Sequence, residues 1–238
     1  MAEQNKDKKG KPPGHGQGGA LPKAKKDKKP KGAAAEAQAE ADDAPKQPAP
    51  PARLQVKFRD EIAPALQKQL GIKNLLAVPR VEKIVISMGL GKAVTSGEKG
   101  KLEQAEKELG IIAGQKAVRC KAKKSVANFK VREGQETGLK VTLRGTRMYE
   151  FLDRMITLAF PRVKDFRGVD PKGFDKNGNY NFGFNEQTVF PEIDGATVTF
   201  QQGMNVTLVT TAKDPEHGRE LLKQFGWPFR EDVKKDGK

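Results

Sequence analysis

The sequence predicts an α+β fold: an antiparallel sheet with helices packed on one face and a basic face left open on the other. Three observations carry that expectation. Short stretches of period-2 alternation recur along the chain. Apolar stripes at helical spacing separate them. Cations occupy alternate positions in several of the alternating stretches, so they gather on one surface.

Met1–Pro51 is one compositional block of Lys, Gly and Pro with an Ala/Glu tract at Ala33–Ala44. It shows neither strand alternation nor an amphipathic stripe. Such a segment buries too little apolar surface to offset its ordering entropy. Residues 1–52 are therefore expected to be a disordered extension, and residues 53–238 the folded domain. Leu54, Phe58, Ile62, Leu66 and Leu70 then recur every four residues as a helix. Pro64 is expected to kink or break it, and Gly71 to stop it. Val81–Met88 is rich in branched residues and reads as a strand, closed by Gly89-Leu90-Gly91. Leu102, Ala105, Leu109 and Ile112 mark a second helix that ends at Gly114.

Three alternating segments follow. In Ala117–Lys123, Val118, Cys120 and Ala122 alternate with Arg119, Lys121 and Lys123. In Asn128–Arg132, Phe129 and Val131 alternate with Lys130 and Arg132. In Leu139–Arg144, the apolar Leu139, Val141 and Leu143 alternate with Lys140, Thr142 and Arg144. Three strands of this kind would set one apolar face against helices and one cationic face toward solvent. Met148, Phe151, Leu152, Met155, Ile156 and Ala159 make the next helix, with Pro161 as its end. Arg162–Asn185 is polar and Gly-rich, with Phe166, Phe174, Phe182 and Phe184 scattered through it, and reads as a long excursion. Ala196–Gln201 and Asn205–Ala212 read as strands around Gln202-Gly203. Asp214 and Pro215 start a last helix with Leu221, Leu222 and Phe225 on its apolar face, and Gly226 stops it.

The chain has 45 Lys+Arg against 30 Asp+Glu, a net charge of +15. Met1–Pro51 holds 11 lysines against 7 acids, a net +4. Lys116–Arg147 holds ten basic residues against two acids, a net +8. A period-2 cationic face suits phosphate tracks, so nucleic acid is the expected partner class. The folded part lacks the stacked aromatics of single-strand readers, which favours a groove, loop or backbone shape as target.

Other chemistry finds little support. Gly89-Leu90-Gly91-Lys92-Ala93 lacks the first glycine and the hydroxyl of a phosphate loop, and Val94 breaks a dinucleotide pattern. Gly97-Glu98-Lys99-Gly100 matches the GXXG of a nucleic-acid loop only in its two glycines, and its Glu opposes phosphate. Cys120 reads as a small core residue, and His15 and His217 lack triad or metal partners. One Cys excludes an intrachain disulfide framework, and two His with one Cys fall short of common zinc sites. No catalytic residue, metal or cofactor is expected. No stretch approaches the ~18 apolar residues of a membrane span, and no apolar leader opens the chain. A cytoplasmic protein without a membrane partner is expected.

Particular residues also resemble a known family. Val78-Pro79-Arg80-Val81-Glu82-Lys83-Ile84 and Met88-Gly89-Leu90-Gly91 are followed by Gly114-Gln115-Lys116 and Lys121-Ala122-Lys123-Lys124-Ser125-Val126-Ala127. Lys140-Val141-Thr142-Leu143-Arg144-Gly145, Ala159-Phe160-Pro161-Arg162, Asp165-Phe166-Arg167-Gly168, Phe190-Pro191-Glu192-Ile193-Asp194 and Thr210-Thr211-Ala212 continue the series. Together they resemble, in order from about Leu54 to Arg230, the large-subunit ribosomal protein five family, the universal 5S-rRNA-binding protein of the large subunit. The likeness is to the bacterial type, with an N-terminal extension that has no family counterpart.

The resemblance implies a non-enzymatic ribosomal protein that docks 5S rRNA into the central protuberance. It implies contacts with 23S rRNA, the peptidyl-site tRNA, a small-subunit head protein and other central-protuberance proteins. Carried over residue by residue, Ser87, Met88, Gly89, Gln115, Lys140, Thr142 and Arg144 would bind 5S rRNA, with Ser87 standing where the family has Asn. Arg119, Lys121, Lys123, Lys124, Ser125, Lys130 and Arg132 would meet tRNA and rRNA phosphates. Arg162, Lys164, Asp165 and Arg167, in the excursion 162–186, would form the inter-subunit bridge.

Overall fold

Ile84, Ile86 and Met88 alternate with Val85, Ser87 and Gly89, and that alternation gives the strand one buried row and one open row. The computed structural model describes residues 50–230. The expected extension at 1–52 lies almost wholly outside them. The strands are β1 (Val81–Gly89), β2 (Val118–Lys121), β3 (Glu136–Leu143), β4 (Tyr180–Phe184) and β5 (Met204–Thr210). They form one sheet in the order β2-β3-β1-β5-β4, with every neighbouring pair antiparallel. Ile86 pairs with Val141 on one side and Val206 on the other, so three buried rows meet on one face.

Helices cover that face. They are α1 (Arg53–Lys57), α2 (Ala63–Gln69), α3 (Gly91–Thr95), α4 (Lys99–Ala113), α5 (Gly145–Arg154), α6 (Phe160–Arg162) and α7 (Pro215–Gln224). Leu102, Ala105, Leu109 and Ile112 of α4 and Met148, Phe151 and Leu152 of α5 are buried. Each such large aliphatic or aromatic side chain contributes roughly 1.5–3 kcal/mol on burial. Gly114 ends α4 at φ 62°, a left-handed conformation that costs a glycine little.

Pro161 ends its helix as expected, one residue on at Arg162, whereas Pro64 distorts its helix without breaking it. A π-helical turn, Phe58–Ile62, joins α1 to α2 ahead of Pro64, and another, Met155–Ala159, joins α5 to α6 ahead of Pro161. A proline cannot donate to the carbonyl four residues back and its ring crowds that carbonyl. Those carbonyls belong to Asp60 and Thr157, and both lie in the widened turns. At Pro64 the helix absorbs the proline by local rewinding and runs on to Gln69.

Three other expectations change. Residues 128–132 do not form a strand: Ala127–Phe129 is a 3-10 turn and Lys130 follows at φ 52°. Ala196–Gln201 is a turn rather than a strand, with the Asp194 carboxylate accepting from the Ala196 N–H at 3.0 Å. The excursion after Arg162 instead contains β4. Its alternation of Tyr180, Phe182 and Phe184 with Asn181 and Gly183 is regular, but Asn and Gly are poor strand formers and polar loops flank the segment. Asp214 starts α7 through its backbone oxygen, which accepts from the Gly218 N–H at 3.2 Å; its side chain makes no cap.

The excursion's phenylalanines are gathered by tertiary packing. Phe160 stacks on Phe166 at 5.2 Å between ring centroids and meets Trp227 edge-on at 5.0 Å. Phe182 and Phe184 close around the same ring at 5.8 and 5.6 Å. Tyr180 is fully buried, and its hydroxyl donates to the Asp170 carbonyl at 2.6 Å. Burial pushes its phenol up to about 12, with the Asp170 charge adding to the shift. An unfolded tyrosine ionises near pH 10. Stability present below about pH 10 is therefore lost as pH rises through about 12. Urea midpoints should fall across this window, and Tyr180→Phe should flatten that fall; an identical slope in the variant would refute the assignment.

Candidate nucleic-acid interface

The sheet face away from the helices is built from alternate residues of all five strands. On β1 and β3, Ser87 stands opposite Lys140 and Val85 opposite Thr142. On β5, Asn205 stands opposite Ser87 and Thr207 opposite Val85. Asn181 of β4 lies beside Thr207, whose hydroxyl donates to the Asn181 side-chain oxygen at 2.7 Å. Ser87, Lys140 and Thr142 are thus brought together as neighbours across two strands, Ser87 and Thr142 half-buried and Lys140 exposed. Arg144 is exposed where β3 runs into α5. Gln115 is half-buried in the turn before β2; because Val118 pairs with Lys140, the chain reaches β2 from the Thr142 end of the sheet.

Two members of the expected set sit differently. The Met88 side chain points into the core and is 2% exposed, so only its backbone lies near the face. Gly89 is exposed, and its carbonyl accepts from the Gln202 amide at 3.2 Å.

The face is less cationic than the alternation suggests, and β2 is the reason. Val118 pairs with Lys140 and Cys120 with Gly138, so these two share the open face and Val118 is 65% exposed. Cys120 is accordingly half-buried at the sheet edge rather than a core residue. Arg119 takes the opposite side. Its guanidinium binds Glu106 of α4 at 2.6 Å and Glu136 at 3.0 Å. Hydrogen bonds to these two carboxylates raise the Arg119 pKa above its ordinary value. An edge strand has only one neighbour, so its apolar residues are not drawn inward as a central strand's are. The outer face is consequently a hydroxyl and amide surface with Lys83 and Lys140 among it.

Half of the ten cations of Lys116–Arg147 sit instead at the end of β2 and in the loop that joins it to β3. The backbone pairs Ala122 with Gln135 and Val126 with Val131, which closes the loop as a ladder. The Ser125 hydroxyl accepts from the Glu133 N–H at 2.9 Å, so it holds the loop's shape. Lys121, Lys123, Lys124, Lys130 and Arg132 are all exposed. None of these five makes an ion pair among the described residues.

On the other flank, Arg162, Lys164, Asp165 and Arg167 are exposed at and beyond the end of α6. Asp165 has φ 52°, and the adjoining Phe166 anchors the segment by stacking on Phe160. Asn181, Asn205 and Thr207 are the members of the outer face that sequence reading passed over. The alternation of β4 and β5 was the signal that could have found them. Glu98 of the GXXG stretch pairs with Lys101 at 2.7 Å, which pulls its pKa down. Among the described residues no cluster of His, Cys, Asp and Glu is arranged to hold a metal ion, and no helix is long and apolar enough to cross a membrane.

Comparison with known proteins adds a family to this geometry. Residues 74–132 match the family model for ribosomal protein L5, and residues 136–229 match the model for the C-terminus of the same ribosomal family. The large ribosomal subunit protein uL5 of Acidobacterium capsulatum is 57% identical over 180 residues, covering 76% of this chain and 98% of that protein. Its counterpart in Alkaliphilus metalliredigens is 56% identical over 178 residues, covering 75% and 98%. That of Thermosipho africanus is 53% identical over 177 residues, covering 74% and 97%.

Proposed function

The chain belongs to the ribosomal protein L5 family, and from that premise we propose that it binds 5S rRNA through its open sheet face and helps attach it in the central protuberance. It is a structural constituent of the large ribosomal subunit in the cytoplasm and not an enzyme. The observation that carries the finer reading is the cross-strand cluster of Ser87, Lys140 and Thr142, with Asn205 directly beside Ser87. Hydroxyls and amides held at fixed strand spacing can bond sugar and base edges, while Lys140 and Arg144 neutralise phosphates. RNA helices are read largely by shape and through the 2′-hydroxyl, which this mixture of donors and acceptors fits. Gln115 joins the cluster from the Thr142 end. Ser87 offers one donor, and the Asn205 amide across the strand supplies two more.

The other contacts follow the same division. The exposed lysines of the 121–135 loop face peptidyl-site tRNA and 23S rRNA phosphates. Arg162, Lys164, Asp165 and Arg167 meet a small-subunit head protein, and other central-protuberance proteins border the domain. Arg119, tied to two carboxylates, orders the edge of the sheet and is not counted among the phosphate contacts.

A filter-binding salt series on the full chain tests the reading. At one salt concentration the protein should prefer 5S rRNA strongly over an unrelated RNA of equal length. Thr142→Val keeps the side-chain shape and removes one hydroxyl. It should weaken 5S rRNA binding by roughly three- to tenfold, the size of one net hydrogen bond, with the thermal transition little changed. Equal affinity for both RNAs, or an unaltered variant, would count against the sheet-face assignment.

A further inference from the structure

A groove of about 720 Å³ lies between α3 and the β2–β3 loop, within the roughly 300–1,000 Å³ range of ligand-sized sites. We infer that it receives a single unstacked nucleotide of bound RNA, the base lying against Phe129 and its phosphates on Lys92, Lys124 and Lys130. The inference rests on the reading that this loop faces RNA.

Phe129 is the first reason. It is 73% exposed at the crest of the loop, and its ring is in no aromatic pair among the described residues. The other phenylalanines of the domain pack in or against the core, so this ring stands out. Leaving an aromatic ring in water forfeits its burial free energy unless a partner covers it. Val126, 40% exposed, and Val131 continue the apolar wall beside it.

The rim is the second reason. Lys92 from α3 and Lys124 and Lys130 from the loop all border the groove, and all three are exposed. None is ion-paired among the described residues. An apolar slot edged by three unneutralised ammonium groups complements a base flanked by phosphates. An apolar protein segment would gain nothing from the three charges. A structured backbone holds the slot open: Val126 and Val131 exchange both backbone hydrogen bonds, at 2.9 and 3.2 Å, and Lys130 turns the chain at φ 52°. Unstacked bases in loops and bulges are the usual targets of such aromatic platforms.

The test uses the full chain and three RNAs: a short hairpin with one bulged 2-aminopurine, the same hairpin without the bulge, and 5S rRNA. The bulged hairpin should bind about tenfold more tightly than the plain one, the order of one base–aromatic stack. Its 2-aminopurine emission should fall on binding. Phe129→Ala removes an exposed ring and leaves the core intact; it should abolish both the preference and the quenching, while Phe129→Leu keeps a small part of each. Equal binding of the two hairpins, or a preference that survives Phe129→Ala, overturns the inference and assigns the ring to a protein neighbour. The 5S rRNA arm separates the two levels. A retained preference for 5S rRNA with no bulge effect sinks only the groove, whereas loss of the 5S rRNA preference sinks the sheet-face reading.

Discussion

Phe160→Ala is expected to destabilise the protein by about 3–5 kcal/mol, the range for removing a well-packed aromatic ring from a core. Phe160 is 3% exposed, and its ring is surrounded by Phe166, Phe182, Phe184 and Trp227, all within 5.8 Å between centroids. Those four come from three separate parts of the chain: the segment after α6, β4 and the residues after α7. Truncation leaves a cavity whose walls are anchored to different elements and cannot easily collapse together. Such a loss lowers Tm by roughly 6–20 °C in a domain of this size. The same change also loosens the 162–167 segment, because Phe166 rests on the deleted ring. Urea and thermal unfolding of the variant read the first effect, and limited proteolysis after Arg162, Lys164 or Arg167 reads the second. A loss below about 1 kcal/mol would show that the aromatic cluster is not a cooperative part of the core.

The second large effect is electrostatic. Replacing Lys123, Lys124 and Lys130 together with glutamine should reduce the slope of log affinity against log salt by about 2 to 3, close to one unit for each phosphate contact removed. All three are exposed, and none makes an ion pair among the described residues, so the substitution leaves no buried carboxylate uncompensated. Binding to every RNA should weaken alike at low salt, because phosphate contacts carry no sequence information. The preference for 5S rRNA over an unrelated RNA should persist, since the sheet face is untouched. A salt slope equal to that of the wild type would remove the loop from the RNA-binding surface.

These two variants divide the molecule as its physics does. Phe160 belongs to a set of contacts between residues far apart in sequence. The three lysines act one by one, and their positions along the chain already placed them in a basic stretch. The central strands were similarly legible. β1, β3 and β5 alternate and their apolar rows are buried, so burial and pattern agree at Ile84, Ile86, Val141 and Val206. The apolar faces of α4, α5 and α7 were legible for the same reason. The candidate site was legible where it rides on those strands, at Ser87, Lys140 and Thr142. At Arg119 and Met88 the placement was not legible, because both side chains point away from the outer face.

Alternation says that two faces differ, but not which of them turns inward. In β1 and β3 the helices settle that question, because leaving Ile86 or Val141 in water would cost roughly 1.5–3 kcal/mol each. In β2 the apolar residues are few and the strand is at the edge, so Glu106 and Glu136 capture Arg119 and fix the opposite phase. In Asn128–Arg132 no sheet neighbour is available, and the local turn at Ala127–Phe129 prevails. Tyr180–Phe184 becomes a strand because β5 offers it a paired edge and the Phe160–Trp227 cluster holds its rings. The sequence alone therefore determined the fold class, the central strands, the buried faces of the helices and the location of the charge. Only the tertiary structure decided the phase of β2, the strand in the excursion and the exposure of Phe129, because each depends on neighbours that adjacent residues do not specify.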